Sequence, residues 1–313
     1  MNNTARINDF DLPINAEVCF STYKNKFSKQ IRKSQLQTLR RFVQILKRVM
    51  EPDEQIFLTV KGRFPKLQGL SFLGIIATGF LGYYIYSDLN NRCVLIFTNK
   101  RILHFPTTTS FSPRGSIAQI RYGDIEHLNF PSFFGRKLVL KYKSGKEERF
   151  HRIPPKEFQK LRTILPSLLA KATMSEMKGR HSICPKCTTS LAKGTVSCPH
   201  CKLQFKDEKH AVRFSILFPG GGYFYTKRPV LGLLGAITEV FLIIAIISGL
   251  IAGLSGICNG KVPLSELADA WSGAILAVLF LVFKKSISVW YTKNYVSECI
   301  PARRPEATSQ SSK

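Results

Sequence analysis

The chain has 313 residues, with 46 Lys+Arg against 20 Asp+Glu and a formal net charge of +26. That length leaves room for two or three modules, and the basic excess calls for a polyanionic neighbour, either anionic lipid headgroups or nucleic acid. Of the eight cysteines, four form two CxxC pairs and four (Cys19, Cys93, Cys258, Cys299) are scattered, which argues against a disulfide framework and for a reducing compartment with one metal site.

Residues 1–18 lack an apolar core and carry Asp9, Asp11 and Glu17, so no cleavable signal peptide is expected there. Within the N-terminal region 1–50, the stretch from Ser34 to Met50 reads as a basic amphipathic helix. Leu36, Leu39, Phe42, Val43, Leu46, Val49 and Met50 recur at three- and four-residue steps, with Arg40, Arg41, Lys47 and Arg48 between them. Ser34 is its expected N-cap, and Pro52 stops it. Such a helix can lie on an anionic membrane, but more commonly it packs its stripe on a neighbouring domain. Ile56 to Val60 follows as a short strand.

No charge interrupts the chain between Lys66 and Asp88, and Leu70 to Tyr86 is largely apolar. The run is at the lower bound for a spanning helix, about 17 residues. A single crossing would also place one of two basic flanks outside, against the positive-inside preference. A membrane-dipping hairpin or a buried insert is therefore preferred for 68–87.

Strand-like runs then alternate with turns. Cys93 to Thr98 and Ile102 to Phe105 flank the polar turn Asn99-Lys100-Arg101 as a hairpin; Ile117 to Tyr122, Leu138 to Tyr142 and Glu148 to His151 follow. Pro154-Pro155 opens a helix to about Ala170, with Phe158, Leu161, Ile164, Leu165, Leu168 and Leu169 on one stripe. The pattern over 51–172 predicts a small barrel or sandwich capped by a helix. The segments from Val94 to Leu103, Ile120 to Ile125 and Pro155 to Phe158 resemble the signatures of bacterial PH-like/GRAM-type domains, with the apolar insert as a departure. The resemblance implies a binding platform, often at membranes. Lys100, Arg101, Arg114, Arg121, Arg136 and Lys137, joined by Lys141 and Lys143, are the candidates for a headgroup-facing patch.

In 178–206 stand Cys184-Pro185-Lys186-Cys187 and Cys198-Pro199-His200-Cys201. Two CxxC pairs at this separation match a tetrahedral site with four thiolate ligands, and Zn2+ is the expected ion. Four cysteines saturate the site without His181 or His200, so the metal is read as structural; it would also hold together a module too small for its own core. The segment resembles a short zinc ribbon but carries Thr188 and Lys202 where that family has glycine. Lys186, Lys193, Lys202, Lys206 and Lys209 make it basic, which keeps nucleic-acid contact as an alternative, although Phe205 is its only aromatic.

The region 211–292 is membrane-like. Pro229 to Cys258 is apolar with Glu239 as its only charge, and a second run from Leu267 to Tyr291 is bounded by Trp271 and Trp290. Arg213, Lys227 and Arg228 precede the first run, and Lys284, Lys285, Lys293, Arg303 and Arg304 lie at or beyond the end of the second; the loop between holds Lys261 against Glu266 and Asp269. This predicts a transmembrane hairpin with both ends, and the tail 293–313, in the cytoplasm. The segment from Phe214 to Leu234 resembles the Gly-rich signature of TM2-type membrane proteins, and its glycines at 220–222 predict a tight bend between a short re-entrant or interfacial helix and the first span. Glu239 is costly if it faces lipid, so it is a candidate for ion coupling or helix–helix pairing, unless it reaches the interface.

The expectation is an α+β chain: a PH-like barrel or sandwich, a four-cysteine ribbon and a helical membrane hairpin. No catalytic motif stands out. The function expected is that of a non-enzymatic, cytoplasm-facing scaffold at the inner or cytoplasmic membrane, binding anionic lipid or a protein partner. The alternatives are an accessory subunit of a transport or secretion assembly, and nucleic-acid binding through the ribbon.

Overall fold

The structure is a computed structural model, and it describes residues 12–15, 19, 26–64, 91–133, 135–172, 179–259 and 264–302. The apolar run from Leu70 to Tyr86 lies outside the described residues, as do 303–313 of the tail. The chain divides into two compact units: one runs to Phe205 and resumes at Pro301, the other is Lys206–Ile300.

In the first unit, α1 (Lys26–Arg40) and α2 (Val43–Val49) precede β1 (Ile56–Arg63), β2 (Arg92–Thr98), β3 (Arg101–Pro106) and β4 (Ile117–Arg121). A 3-10 turn at Tyr122–Asp124 leads into β5 (Ile125–Asn129), β6 (Leu138–Tyr142) and β7 (Glu147–Phe150), and α3 (Pro155–Ala170) follows. The short strands β8 (His181–Ile183) and β9 (Ser190–Leu191) belong to the cysteine segment.

All named strand pairs are antiparallel, and they form two sheets ordered β1-β2-β3-β4-β8-β9 and β5-β6-β7. The β2–β3 hairpin pairs Phe97 with Ile102, as the run of apolar residues around Asn99-Lys100 predicts. Because β2 and β3 are buried on both faces, they read as continuous apolar runs. One face (Leu58, Val60, Leu95, Phe97, Ile102, Ile120) shares a core with Leu138, Leu140, Tyr142 and Phe150 of the smaller sheet and with Phe158, Leu161 and Leu165 of α3. The other face (Ile56, Val94, Ile96, Leu103, Phe105) is covered by Leu39, Phe42, Leu46 and Val49.

The basic amphipathic helix thus spends its stripe on the sheet, and its apolar residues do not face a membrane. It differs from the expectation in two ways. It begins upstream of Ser34, at Lys26, and a turn at Arg41–Phe42 divides it. That break lets buried Phe42 pack edge-on against Phe105, ring centroids 5.0 Å apart.

The second unit contains α4 (Glu208–Leu217), α5 (Gly221–Tyr225), α6 (Pro229–Asn259) and α7 (Leu264–Val296). Two of these are long and apolar enough to cross a membrane: the window Pro229–Ile257 has mean hydropathy 2.6 and Trp271–Val296 has 1.8. They pack against each other while leaving Leu233, Ile237, Phe241, Ile244, Ile251, Leu276 and Leu279 exposed, a face with no internal use.

Candidate metal centre

Each CxxC pair closes a knuckle, and the two are near-copies. The Thr188 N–H donates to the Cys184 carbonyl at 2.9 Å, and the Lys202 N–H to the Cys198 carbonyl at 3.1 Å. Cys184 and Cys198 in turn donate their own N–H groups to Thr189 and Leu203, both at 2.9 Å. Thr188 and Lys202, which stand where a ribbon would carry glycine, both take the left-handed conformation, φ 61° and 58°. The turn is kept without the residue that adopts it most easily, at a backbone cost of roughly 1 kcal/mol each.

The four sulfur atoms all lie within 4.8 Å of one another. Cys184 Sγ is 3.5 Å from Cys201 Sγ, and Cys187 Sγ is 3.5 Å from Cys198 Sγ. These separations are far longer than the ~2.05 Å of a disulfide and close to the ~3.8 Å edge of a tetrahedron whose ligand bonds are ~2.3 Å. The cysteines are free, and the group can hold a metal ion. Cys184 and Cys198 are buried; Cys187 and Cys201 are half-buried. Burial pushes the Cys184 thiol well above its ordinary value and raises Cys201. At Cys187 burial also works upward, but hydrogen bonds from Thr189 and from the neighbouring cysteines outweigh it and bring the thiol to about 6. A site that favours at least one thiolate before metal arrives suits a cation.

The site is joined to the large sheet. β8 ends at Ile183, one residue before the first ligand, and pairs with β4 through Ile117–Ile183, Ala118–Ser182 and Gln119–His181. Ile183 lies in the core beneath α1 and α2. Just upstream, Arg180 Nε donates to the buried Glu148 carboxylate at 3.0 Å, and its guanidinium sits 4.6 Å from the Phe64 ring centre. Neither strand nor anchor was legible in the sequence, since a three-residue strand carries no periodicity.

Among the basic candidates, Arg101 is corrected outright. It is 2% exposed: its guanidinium bonds both oxygens of Glu54 at 2.8–2.9 Å and the Val49 carbonyl at 2.7 Å, so it cannot face a headgroup. Arg121 is partly exposed but donates to Glu51 at 2.9 Å; Lys100 bonds the Pro52 carbonyl, and Arg114 donates to the Thr107 carbonyl at 2.8 Å. Arg136 is exposed and Lys137 half-buried on the β5–β6 connection, with exposed Lys141 and Lys143 beyond. Lys100, Arg101 and Arg121 thus converge on Glu51, while Arg136 and Lys137 are neighbours on the β5–β6 connection, where Arg136 Nε donates to the Ile153 carbonyl at 3.0 Å. Beside them is a residue the sequence reading passed over: Phe133, 90% exposed at the same connection. The Phe-Phe-Gly-Arg-Lys run over 133–137 was the available signal.

In the second unit Glu239 is 1% exposed, and its carboxylate takes the Lys285 ammonium at 2.8 Å and the Gly220 N–H at 3.3 Å. It is a buried, paired group. Compared with family models, with curated proteins and with solved structures, the chain matches none.

Proposed function

We propose that this chain is a membrane-anchored binding and scaffold protein whose β-sandwich reads an anionic bilayer surface. In this reading, α6 and α7 are the anchor, seven strands followed by a closing helix form a PH-like module, and the four cysteines hold a structural zinc. With all four positions taken by thiolates, no site is left for substrate, which favours a structural metal over a catalytic one. Zinc is chosen because four thiolates in a tetrahedron suit it.

The observation that carries the lipid reading is the exposure of Phe133 at a loop that also carries Arg136 and Lys137. Phe133 is 90% exposed, and at a headgroup layer its ring would be buried while adjacent cations meet anionic phosphates. The test uses the full chain with an environment-sensitive fluorophore at Phe133→Cys, reconstituted in nanodiscs, with unsubstituted protein labelled for background. A blue shift in anionic nanodiscs, absent in neutral ones and abolished by Arg136→Glu with Lys137→Glu, supports the reading. Equal spectra in both lipids contradict it.

A further inference from the structure

The buried pair Glu239–Lys285 invites a transport role, but its partners point elsewhere. Lys285 Nζ donates at 2.8 Å to the Ser215 carbonyl, left open because Pro219 has no N–H, and at 3.2 Å to the Phe218 carbonyl, which also accepts the Gly221 N–H at 3.0 Å. Glu239 accepts from the N–H of Gly220, which starts the return into α5. Lys284 Nζ donates to the Gly235 carbonyl at 3.1 Å. The charged pair thus satisfies the backbone of the Phe218-Pro219-Gly220 turn from both sides. Water would serve those groups if the turn lay outside a bilayer; inside one, an irregular turn persists only where protein supplies the partners.

The distribution of polarity along α4 agrees. Its first six residues expose Glu208, Lys209, His210 and Arg213, and its end with the following cap residue exposes Phe214, Ile216, Leu217 and Phe218. The change runs along the axis and not around it. A helix lying flat in the interface would show opposite faces; a helix entering hydrocarbon end-on shows this gradient. Depth is consistent as well. Glu239 is ten residues beyond Pro229, the start of α6, which at 1.5 Å per residue places it about 15 Å along that helix. Gly220 packs so closely on α6 that a Cβ there would collide with the Gly232 carbonyl oxygen.

We infer that α4 and α5 form a re-entrant hairpin whose Phe218–Gly220 tip sits in the hydrocarbon of the bilayer, capped by Glu239 and Lys285. Its occupant is lipid acyl chain, contacting Leu217 and Phe218. The inference rests on the reading of α6 and α7 as membrane spans, and the experiment separates the two.

Thiols are placed in the full chain at exposed Leu217 and Phe218, at Lys209 as a water reference and at Phe241 as a span reference. They are labelled with a small permeant fluorophore in reconstituted vesicles, with the unsubstituted chain as background. Each is challenged by a water-soluble quencher and by one attached to acyl chains. The expected result is that labels at 217 and 218 follow the one at 241, with aqueous quenching about tenfold weaker than at 209, since hydrocarbon excludes a polar quencher. Labels at 217 and 218 that behave as at 209, or that neither quencher reaches because protein covers them, overturn the hairpin. A water-accessible label at 241 overturns the spans instead. For the cap, Glu239→Gln should lower the melting temperature in detergent, and the paired change Glu239→Gln with Lys285→Met should not restore it, because the second change removes the donor of the Ser215 carbonyl. Full restoration would reduce the pair to charge balance and overturn the cap.

Discussion

Arg101 and Glu54, both withdrawn from water, meet at 2.8 Å and begin a line of polar groups that ends in the cysteine segment. The Arg101 guanidinium also bonds Gln119 Oε1; the Gln119 amide nitrogen lies 2.6 Å from His181 Nε2, and His181 Nδ1 is 3.2 Å from the Gly179 carbonyl. Because Gln119 presents its oxygen to arginine, its NH2 donates to His181 Nε2, and Nδ1–H of the neutral ring donates to Gly179. The chain of bonds crosses from β3 through β4 to β8.

Breaking its first link should be costly. Glu54→Gln leaves the buried Arg101 charge with only the partly exposed Glu51, 3.2 Å away, as a counter-ion, and a loss of up to about 3 kcal/mol is expected. Removing both charges together, Glu54→Gln with Arg101→Met, should lose less. Urea transitions followed by sheet circular dichroism give the comparison. At Glu54 burial raises the pKa, but the bonds and charge of Arg101 outweigh it and hold the carboxyl below its ordinary value of 4.5. Its contribution is therefore present above pH 4.5 and lost as pH falls through the lower folded value.

The histidines predict a second, higher acid step. Burial, reinforced at His151 by Lys137, Arg149 and Arg152, pulls the His151 and His181 values below 6.5. A depressed histidine is neutral in the fold and protonates more readily unfolded, so its contribution is full above pH 6.5 and declines as pH falls below it. His181→Gln should remove the part of that decline that concerns the β4–β8 link. Stability measured between pH 7.5 and 5.5 should fall less in the variant; an unchanged slope would count against the neutral His181 bond.

At the knuckles, Thr188→Gly and Lys202→Gly relieve the positive φ of each residue. Each should stabilise the metal-bound segment by up to roughly 1 kcal/mol, or about fivefold in affinity, in competition with a chromogenic chelator. Alanine at either position keeps the strain and should leave affinity unchanged.

In the second unit, Gly220→Ala should be disruptive. Gly220 has φ 64°, and the added methyl would enter the Gly232 carbonyl. Thermal unfolding in detergent should shift down by several degrees, while Gly273→Ala, with nothing within 4 Å, should leave the midpoint in place.

What could be read from the sequence follows from where each signal resides. The β2–β3 hairpin, β6, α3, the two long helices and the cysteine set are local patterns. The strand Ile125–Asn129 carries no such pattern: only Ile125 is fully buried and its middle residues face out, leaving no run of alternating apolar residues. Arg101 sits in a polar turn and reads as surface; its burial depends on Glu54, 47 positions away. The partner of Glu239 was visible only as lysines near the end of the second apolar run, and its role required the Gly220 turn to be brought against it. Such pairings are set by tertiary packing, which no window of sequence carries.

The cysteine centre is part of the sandwich and not an appended module, since β8 pairs with β4. Hydrogen exchange of the full-length protein, before and after stripping by a chelator, tests it most directly, with metal content measured alongside. One zinc per chain and, on stripping, faster exchange at both Ile117–Gln119 and His181–Ile183, with Leu138–Tyr142 still protected, is the predicted result. No bound metal, or a change confined to 184–203, would contradict it.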